Sequence, residues 1–352
     1  MATIAKFLGG IVGALVIAIA VWALVPASTP AIEGPDAIAS LEPVEIGGVD
    51  QWLLLRGRDV GKPVLLFLHG GPGAANMAQA QAHSSQLEEH FVVVHWDQRG
   101  AGKSCASEVP PASMTVDRLV SDTLEVVAWL RKRFGEEKIY LLGHSWGSVI
   151  GVLAVQRDPS PFHAYVGLGQ VVDIKRGEEI STHWVTERAR ADGNAEALED
   201  LASVPPPYEG VEALMLQRKW LGHYGGDYRA GGAIVRFVQD VLTADVYTLA
   251  EKLSFYGCAI ESLDRMWFEL ADIDFIRDVK RLEVPVHFFI GRHDYNTPFE
   301  LNAEWAEVLE APEVEVLWFE QSAHMANLEE PGLFQRRLIE LVEQRTRPGG
   351  VR

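Results

Sequence analysis

Cysteine is nearly absent: the 352 residues contain two, Cys105 and Cys258, far apart and in no CxxC pattern. That excludes a disulfide framework and a structural zinc cluster, both of which need several thiols at short spacing. Positive charge is scarce, with 31 Lys+Arg against 49 Asp+Glu and a net charge of −18. A chain this acidic lacks the clustered cations that neutralise phosphates, which excludes nucleic acid as a partner and disfavours adhesion to anionic lipid. No internal repeat is visible, and no low-complexity tract apart from one N-terminal apolar run. What remains is a globular composition, 48% hydrophobic and 23% charged, in a chain long enough for one large domain or two ordinary ones.

The apolar run, Phe7 to Val25, carries no charge. As a helix it would span about 28 Å, close to the hydrocarbon thickness of a bilayer. Lys6 precedes it, and the next Lys or Arg after it is Arg56. These features predict an N-terminal transmembrane helix and a single-pass protein with the rest of the chain on the extracytoplasmic side. A cleaved signal peptide, with Val25-Pro26-Ala27 as the processing site and a secreted or periplasmic product, is the rival reading.

Beyond it the pattern alternates. Thr29 to Ser40 reads as a Pro/Ala/Gly-rich linker, and Val44 to Leu55 as a hairpin split by Gly47-Gly48. Strand signals follow at Val64–Leu68, Phe91–Trp96, Lys138–Leu142, Ala164–Leu168, Val284–Ile290 and Val314–Phe319. Helix signals lie between them: one capped by Thr115 and running through Trp129, one over Trp146–Val155, one from Pro331 to about Gln344. Alternation of this kind predicts an α/β fold with a mostly parallel sheet covered by helices on both faces. Residues 171 to 280 break the rhythm with helical periodicity and read as an insertion above the sheet.

The chemistry begins at Gly143-His144-Ser145-Trp146-Gly147, a GxSxG between a strand and a helix signal. A sharp strand-to-helix turn there would lift the serine oxygen out of the sheet, and the flanking glycines leave the room such a turn needs. A serine nucleophile requires a base, and the base an orienting carboxylate, following it in the chain order acid and then histidine. Asp294 follows the strand ending at Ile290, and His324 lies in the loop after Val314–Phe319. Ser145, Asp294 and His324 are therefore the candidate triad. His293 adjoins the acid but would point away from it, Asp173 is an alternative acid, and His144 reads as structural. Asp97 reads as half of a structural ion pair with Arg99. The loop His69-Gly70-Gly71-Pro72-Gly73 has the glycines to aim bare N–H groups at an oxyanion, with the Trp146 N–H as second donor; it lacks the spacing of a phosphate loop.

Together, HGGPG at 69–73, WDQRGAGKS at 96–104, GHSWGS at 143–148, GRHD at 291–294 and SAH at 322–324 resemble the α/β-hydrolase superfamily, most closely its proline iminopeptidase group. The resemblance implies a triad of Ser145, Asp294 and His324, an oxyanion hole from Gly70 or Gly71 and Trp146, and a helical cap at 171–280. It implies release of N-terminal residues from short peptides, with no metal and no cofactor and with cap carboxylates holding the free amine. Glu178, Glu179, Glu187, Glu261 and Glu269 are the candidates for that role. The cap departs from the group in lacking its Trp-rich, Glu-containing helix, which leaves a carboxylic ester or small amide as the alternative substrate. A non-catalytic binding module on the same scaffold is the alternative to an enzyme.

The expected organisation is an anchor or signal segment (1–28), a linker (29–42), core (43–170), cap (171–280), core again (281–346) and a short tail (347–352). Oligomeric state is not legible. Cys105 after the DQRG loop and Cys258 in the cap could bridge core and cap in an exported chain; buried free thiols are the other reading.

Overall fold

The computed structural model describes residues 23–83 and 85–346. Its strands are β1 (Ile38–Ile46), β2 (Val49–Gly57), β3 (Val64–Leu68), β4 (Val92–Asp97), β5 (Ile139–His144), β6 (Phe162–Leu168), β7 (Val286–Gly291) and β8 (Val314–Phe319). They form one sheet in the order β1-β2-β4-β3-β5-β6-β7-β8. The β1–β2 and β2–β4 pairs are antiparallel, and every later pair is parallel.

The central strands read as unbroken apolar runs because both faces are covered. Leu66 and Leu68 of β3 pack into a cluster with Val94, Trp96, Leu141, Val149 and Ile290, while Leu65 and Phe67 pack on the opposite face with Val93, Leu142, Val166 and Phe334. Strand alternation alone sends neighbouring β3 side chains to the two faces.

The helices of the core are α1 (Met77–His83), α2 (Val116–Phe134) and α3 (Trp146–Arg157) before the insertion. Thr115 caps α2 as its sequence position predicts: its side-chain oxygen accepts the Arg118 N–H at 3.2 Å. Between β6 and β7 come α4 (Ile174–Asp192), α5 (Ala195–Ser203), α6 (Val211–His223), α7 (Ala233–Thr243), α8 (Leu249–Leu270) and α9 (Phe275–Asp278). After β7 follow α10 (Phe299–Val308), α11 (Ala326–Glu329) and α12 (Pro331–Thr346).

Helix α8 is fastened to the loop after β4. A disulfide joins Cys105 to Cys258 across 153 residues of sequence. Beside it Lys103 Nζ pairs with Glu251 at 2.8 Å, and Ser262 Oγ donates to the Gly100 carbonyl at 2.9 Å. Of the two fates open to the cysteines, the bridge is the one found.

Several expectations need correction. The segment read as linker contains the start of β1: Ile38, Ala39 and Ser40 pair with Gly57, Arg56 and Leu55. The fold contains no transmembrane helix among the described residues, since none of their helices is long and apolar enough to cross a membrane. Most of the Phe7–Val25 run lies outside the described residues, and Leu24 and Val25 at its end are exposed. The single-pass assignment and the localisation built on it rested on hydropathy and flanking charge; both are withdrawn. Asp173 is not an acid of the site but the N-cap of α4, accepting the Arg176 N–H at 3.0 Å. Arg99 pairs with Asp122 at 2.7 Å, not with Asp97.

Candidate active site

The site forms where β3, β5, β7 and β8 end, at the carboxyl edge of the sheet. His144 is the last residue of β5, and Ser145 turns the chain into α3 with φ +53° and ψ −124°. Ser145 is the sole non-glycine residue with positive φ among the described residues. Such backbone costs of order 1–3 kcal/mol and persists only where its surroundings enforce it. Here the Ser145 N–H donates to the Leu168 carbonyl at 3.0 Å, and the Ser145 carbonyl accepts from the Ser148 N–H at 2.8 Å. Gly147 permits the turn: a Cβ there would lie 2.2 Å from the Leu68 carbonyl oxygen.

Asp294 and His324 come from the loops after β7 and β8. His324 Nδ1 lies 2.9 Å from Asp294 Oδ2, with both side chains buried. The carboxylate is held in turn. Its Oδ1 accepts the N–H groups of Asn296 and Thr297, both at 2.9 Å, and its Oδ2 accepts the Thr297 hydroxyl at 2.8 Å. With Nδ1 engaged, the other ring nitrogen is free for chemistry: among the described residues Nε2 of His324 is buried and has no hydrogen-bond partner. The Ser145 hydroxyl likewise shows no hydrogen bond to it. Such contacts are often long before substrate binds. The arrangement is an imidazole oriented by a carboxylate, on a loop at the same carboxyl edge of the sheet as the strained Ser145.

The loop after β3 borders the serine. A Cβ on Gly70 would sit 3.1 Å from the Ser145 Cβ, and Gly71 has φ +115°. Among the described residues the N–H groups of Gly70, Gly71 and Trp146 donate to no backbone carbonyl. The loop is held from below by His69, whose Nε2 accepts the Gln98 N–H at 3.2 Å, while Gln98 Nε2 donates to the His69 carbonyl at 3.1 Å. Gln98 also accepts the indole N–H of Trp146 at 2.9 Å. One glutamine side chain thus ties the loop to the helix that follows Ser145.

The histidines beneath the site are neutral. Burial lowers the pKa of His69 to about 4 and that of His144 to about 3, the latter also depressed by the neighbouring His324 charge. Burial raises Asp97 to about 7, against the opposing hydrogen bonds from the Lys103 N–H and the Tyr247 hydroxyl. His293 points away from Asp294's partner: its Nε2 lies 2.8 Å from the Arg229 guanidinium.

The five cap glutamates do not gather at the triad. Glu178 is buried but paired bidentately with Arg218, at 2.5 and 2.9 Å. It lines a shallow cleft that reaches Thr297, the residue touching both Asp294 and His324. Glu179 is exposed. Glu187 and Glu261 are exposed and paired with Arg190 and Arg265. Glu269 accepts the Val116 N–H at the start of α2.

A carboxylate that sequence reasoning missed does approach the site. The Asp227 carbonyl accepts the His324 N–H at 3.0 Å, and Asp227 Oδ1 is buried with no hydrogen-bond partner among the described residues. Desolvation raises its pKa, against a Tyr228 N–H and the nearby His324 charge. Its one sequence signal is the Gly225-Gly226 turn before it.

For a metal, the sole grouping of three candidate ligands among the described residues is His287, Glu313 and Glu315, whose ligand atoms lie within 4.8 Å of one another. It sits toward the amino ends of β7 and β8, the opposite side of the sheet from the triad.

A family profile described as alpha/beta hydrolase fold matches residues 63–331. The chain is similar to a probable aminopeptidase, YbaC of Bacillus subtilis, with 33% identity over 304 residues covering 86% of this chain and 96% of that one. It is also 24% identical over 282 residues to a proline iminopeptidase of Heyndrickxia coagulans, covering 77% and 87% of the two. Among solved structures it superposes on a proline iminopeptidase of Mycobacterium smegmatis with a TM-score of 0.61 at 20% identity, over 87% of this chain and 98% of that one. An esterase of Exiguobacterium antarcticum superposes with a TM-score of 0.58 at 18% identity, over 87% and 100%. Likeness at those identities speaks for the fold alone.

Proposed function

The chain belongs to the α/β-hydrolase fold family and is a hydrolase of its proline iminopeptidase-like group, and from that premise we propose that it releases N-terminal residues from short peptides by a serine acyl-enzyme route. Ser145 Oγ attacks the carbonyl of the first residue while His324 Nε2 takes its proton. The tetrahedral oxyanion receives N–H groups from Gly70 or Gly71 and from Trp146. His324 then returns the proton to the leaving amine, and the C–N bond breaks. Water, deprotonated by the same nitrogen, hydrolyses the acyl-enzyme and frees Ser145. Asp294 fixes the imidazole tautomer throughout and steadies the imidazolium. In this reading the helices between β6 and β7 act as the cap.

One observation carries the peptidase reading over an ester reading. A buried carboxylate oxygen without a partner, Asp227 Oδ1, sits on the residue whose backbone holds the catalytic base. A buried carboxylate oxygen without a hydrogen-bond partner favours a cation that can meet it. The free α-ammonium of a peptide, one residue's length from the scissile carbonyl, is such a cation. The cap glutamates considered from sequence are paired, exposed or engaged elsewhere, so Asp227 replaces them as the proposed amine partner.

The test has two arms. A fluorophosphonate probe should label the wild-type protein and fail on Ser145→Ala. A panel of aminoacyl-naphthylamides beside p-nitrophenyl esters should then show turnover of amides bearing a free amine. Turnover of esters alone would sink the peptidase reading, and absence of labelling in folded protein would sink the serine route.

A further inference from the structure

The residue before the nucleophile has no part in the reaction so far described, yet it touches the base in two ways. The rings of His144 and His324 lie with centroids 4.8 Å apart and planes inclined by 37°. His144 Nε2 lies 3.2 Å from the backbone carbonyl of His324. A carbonyl can only accept, so this nitrogen carries the hydrogen and the bond runs from ring to carbonyl. The other side of the ring faces the glycine loop: a Cβ on Gly70 would lie 3.4 Å from His144 Nδ1. His144 therefore stands between the loop proposed to bind the oxyanion and the loop carrying the base.

His324 is on a loop, and a loop histidine has several degrees of freedom to lose before its Nε2 points at Ser145. Asp294 fixes Nδ1. The Asp227 carbonyl holds the main-chain N–H. The remaining handles are the main-chain carbonyl and the flat face of the ring, and His144 engages both. Because β5 is a central strand, the contact ties the base directly to the sheet, and the nucleophile and the plate behind the base are consecutive residues.

We propose that His144 is a positioning residue for the reaction: it anchors the carbonyl of His324 through Nε2–H and backs the His324 ring, holding the base in register with Ser145. The proposal rests on the triad reading given above. It assigns no proton transfer to His144. Displacement of a reacting group by about 1 Å can cost about 100-fold in rate, so a residue that removes slack from the base acts on kcat and leaves substrate binding untouched.

Two variants separate its contributions. His144→Phe keeps a flat ring and removes the donor; His144→Gln keeps an N–H donor and removes the ring. With the best substrate of the panel, His144→Phe should lower kcat by about 10-fold or more with KM changed less than about twofold. His144→Gln should recover part of that loss. Fluorophosphonate labelling of both variants should slow in the same order. If His144→Phe keeps kcat within about twofold of wild type, or if both variants lose kcat only in proportion to lost melting temperature, the positioning role is overturned. Wild-type labelling that Ser145→Ala abolishes would show the triad reading still standing after such a failure.

Discussion

Stability of this protein should fall on mild acidification, before most carboxylates are titrated. Three buried histidines are held neutral: burial lowers His69 to about 4, His95 to about 3 and His144 to about 3. In the unfolded chain each returns to about 6.5. A group with a lowered native pKa binds its proton in the unfolded state first, so stability is complete above the unfolded value and falls as pH drops below it. Between about pH 7.5 and pH 5 each histidine removes about 2 kcal/mol, or about 6 kcal/mol for the three. Asp97 opposes them. Its native pKa is raised to about 7, so its burial penalises the fold above that value and ceases to do so below it. Over the same interval that returns about 2.5 kcal/mol, leaving a net loss of about 3–4 kcal/mol from these four groups. Urea unfolding followed by tryptophan fluorescence at the two pH values would measure it. The variant His95→Phe supplies the internal control, because His95 stacks on Phe67 with ring centroids 5.0 Å apart and a phenyl ring preserves that contact. Its loss over the interval should shrink by about 2 kcal/mol. Equal or greater stability at the lower pH, or a His95→Phe variant with an unaltered pH difference, would refute the reasoning.

Asp122→Ala should destabilise by about 3–5 kcal/mol in the same assay, because it leaves the Arg99 guanidinium buried without a counter-charge; Arg99 and Asp122 side chains are 1% and 0% exposed. Asp122→Asn should recover little of that, since the lost quantity is charge. Reduction of the Cys105–Cys258 bridge, which closes 153 residues of chain, should lower stability by about 2–5 kcal/mol; Cys258→Ser should reproduce the effect, and a melting temperature insensitive to reductant would refute it. Asp227→Asn should raise KM for free-amine substrates by about tenfold and leave p-nitrophenyl ester KM unchanged, as loss of one charge-assisted hydrogen bond predicts; equal effects on both would remove Asp227 from amine recognition.

What the chain discloses in advance follows from how local the determining physics is. Val64–Leu68 and Val314–Phe319 are legible to the residue because short apolar runs bounded by turn residues have few other fates. The turn at Ser145 is legible because a Cβ on Gly147 would strike the Leu68 carbonyl, a constraint that leaves a mark in composition. Ile38–Ser40 misled in the other direction: they follow a Pro/Gly-rich stretch, and only pairing with Leu55–Gly57 makes them a strand. Cap residues are the least legible. Which acid turns inward depends on how α4 and α6 pack, so exposed Glu187 and inward Asp227 look alike in one dimension. The bridge between Cys105 and Cys258 is a distance in the folded chain that spacing cannot state. The apolar run at Phe7–Val25 lies mostly outside the described residues, and none of the described helices is long and apolar enough to cross a membrane.

The loop after β4 explains why a segment with no catalytic group carries so distinctive a sequence. In Trp96-Asp97-Gln98-Arg99-Gly100-Ala101-Gly102-Lys103-Ser104-Cys105, successive side chains are spent on different neighbours. Trp96 donates to Gln51 at 3.0 Å, and Asp97 receives the Tyr247 hydroxyl at 3.0 Å. Gln98 joins the glycine loop to Trp146, and Arg99 reaches Asp122 in α2. Lys103 pairs with Glu251 in α8, Ser104 accepts the Trp52 N–H at 2.9 Å, and Cys105 is bonded to Cys258. One short loop therefore connects the proposed oxyanion donors, the helix of the proposed nucleophile, the α2 face and the inserted helices. A change in α8 has a covalent and an ionic route to the loop after β4, and a packing route to the glycine loop, where a Cβ on Gly73 would lie 2.7 Å from the Ser262 side chain of that helix. Helix α8 is thus better described as a wall of the site than as a lid over it, and freedom to admit substrate must come from the segments on either side of it. Limited proteolysis should therefore cut at 204–232 well before it cuts within α8; early cleavage inside α8 of the oxidised protein would contradict that assignment.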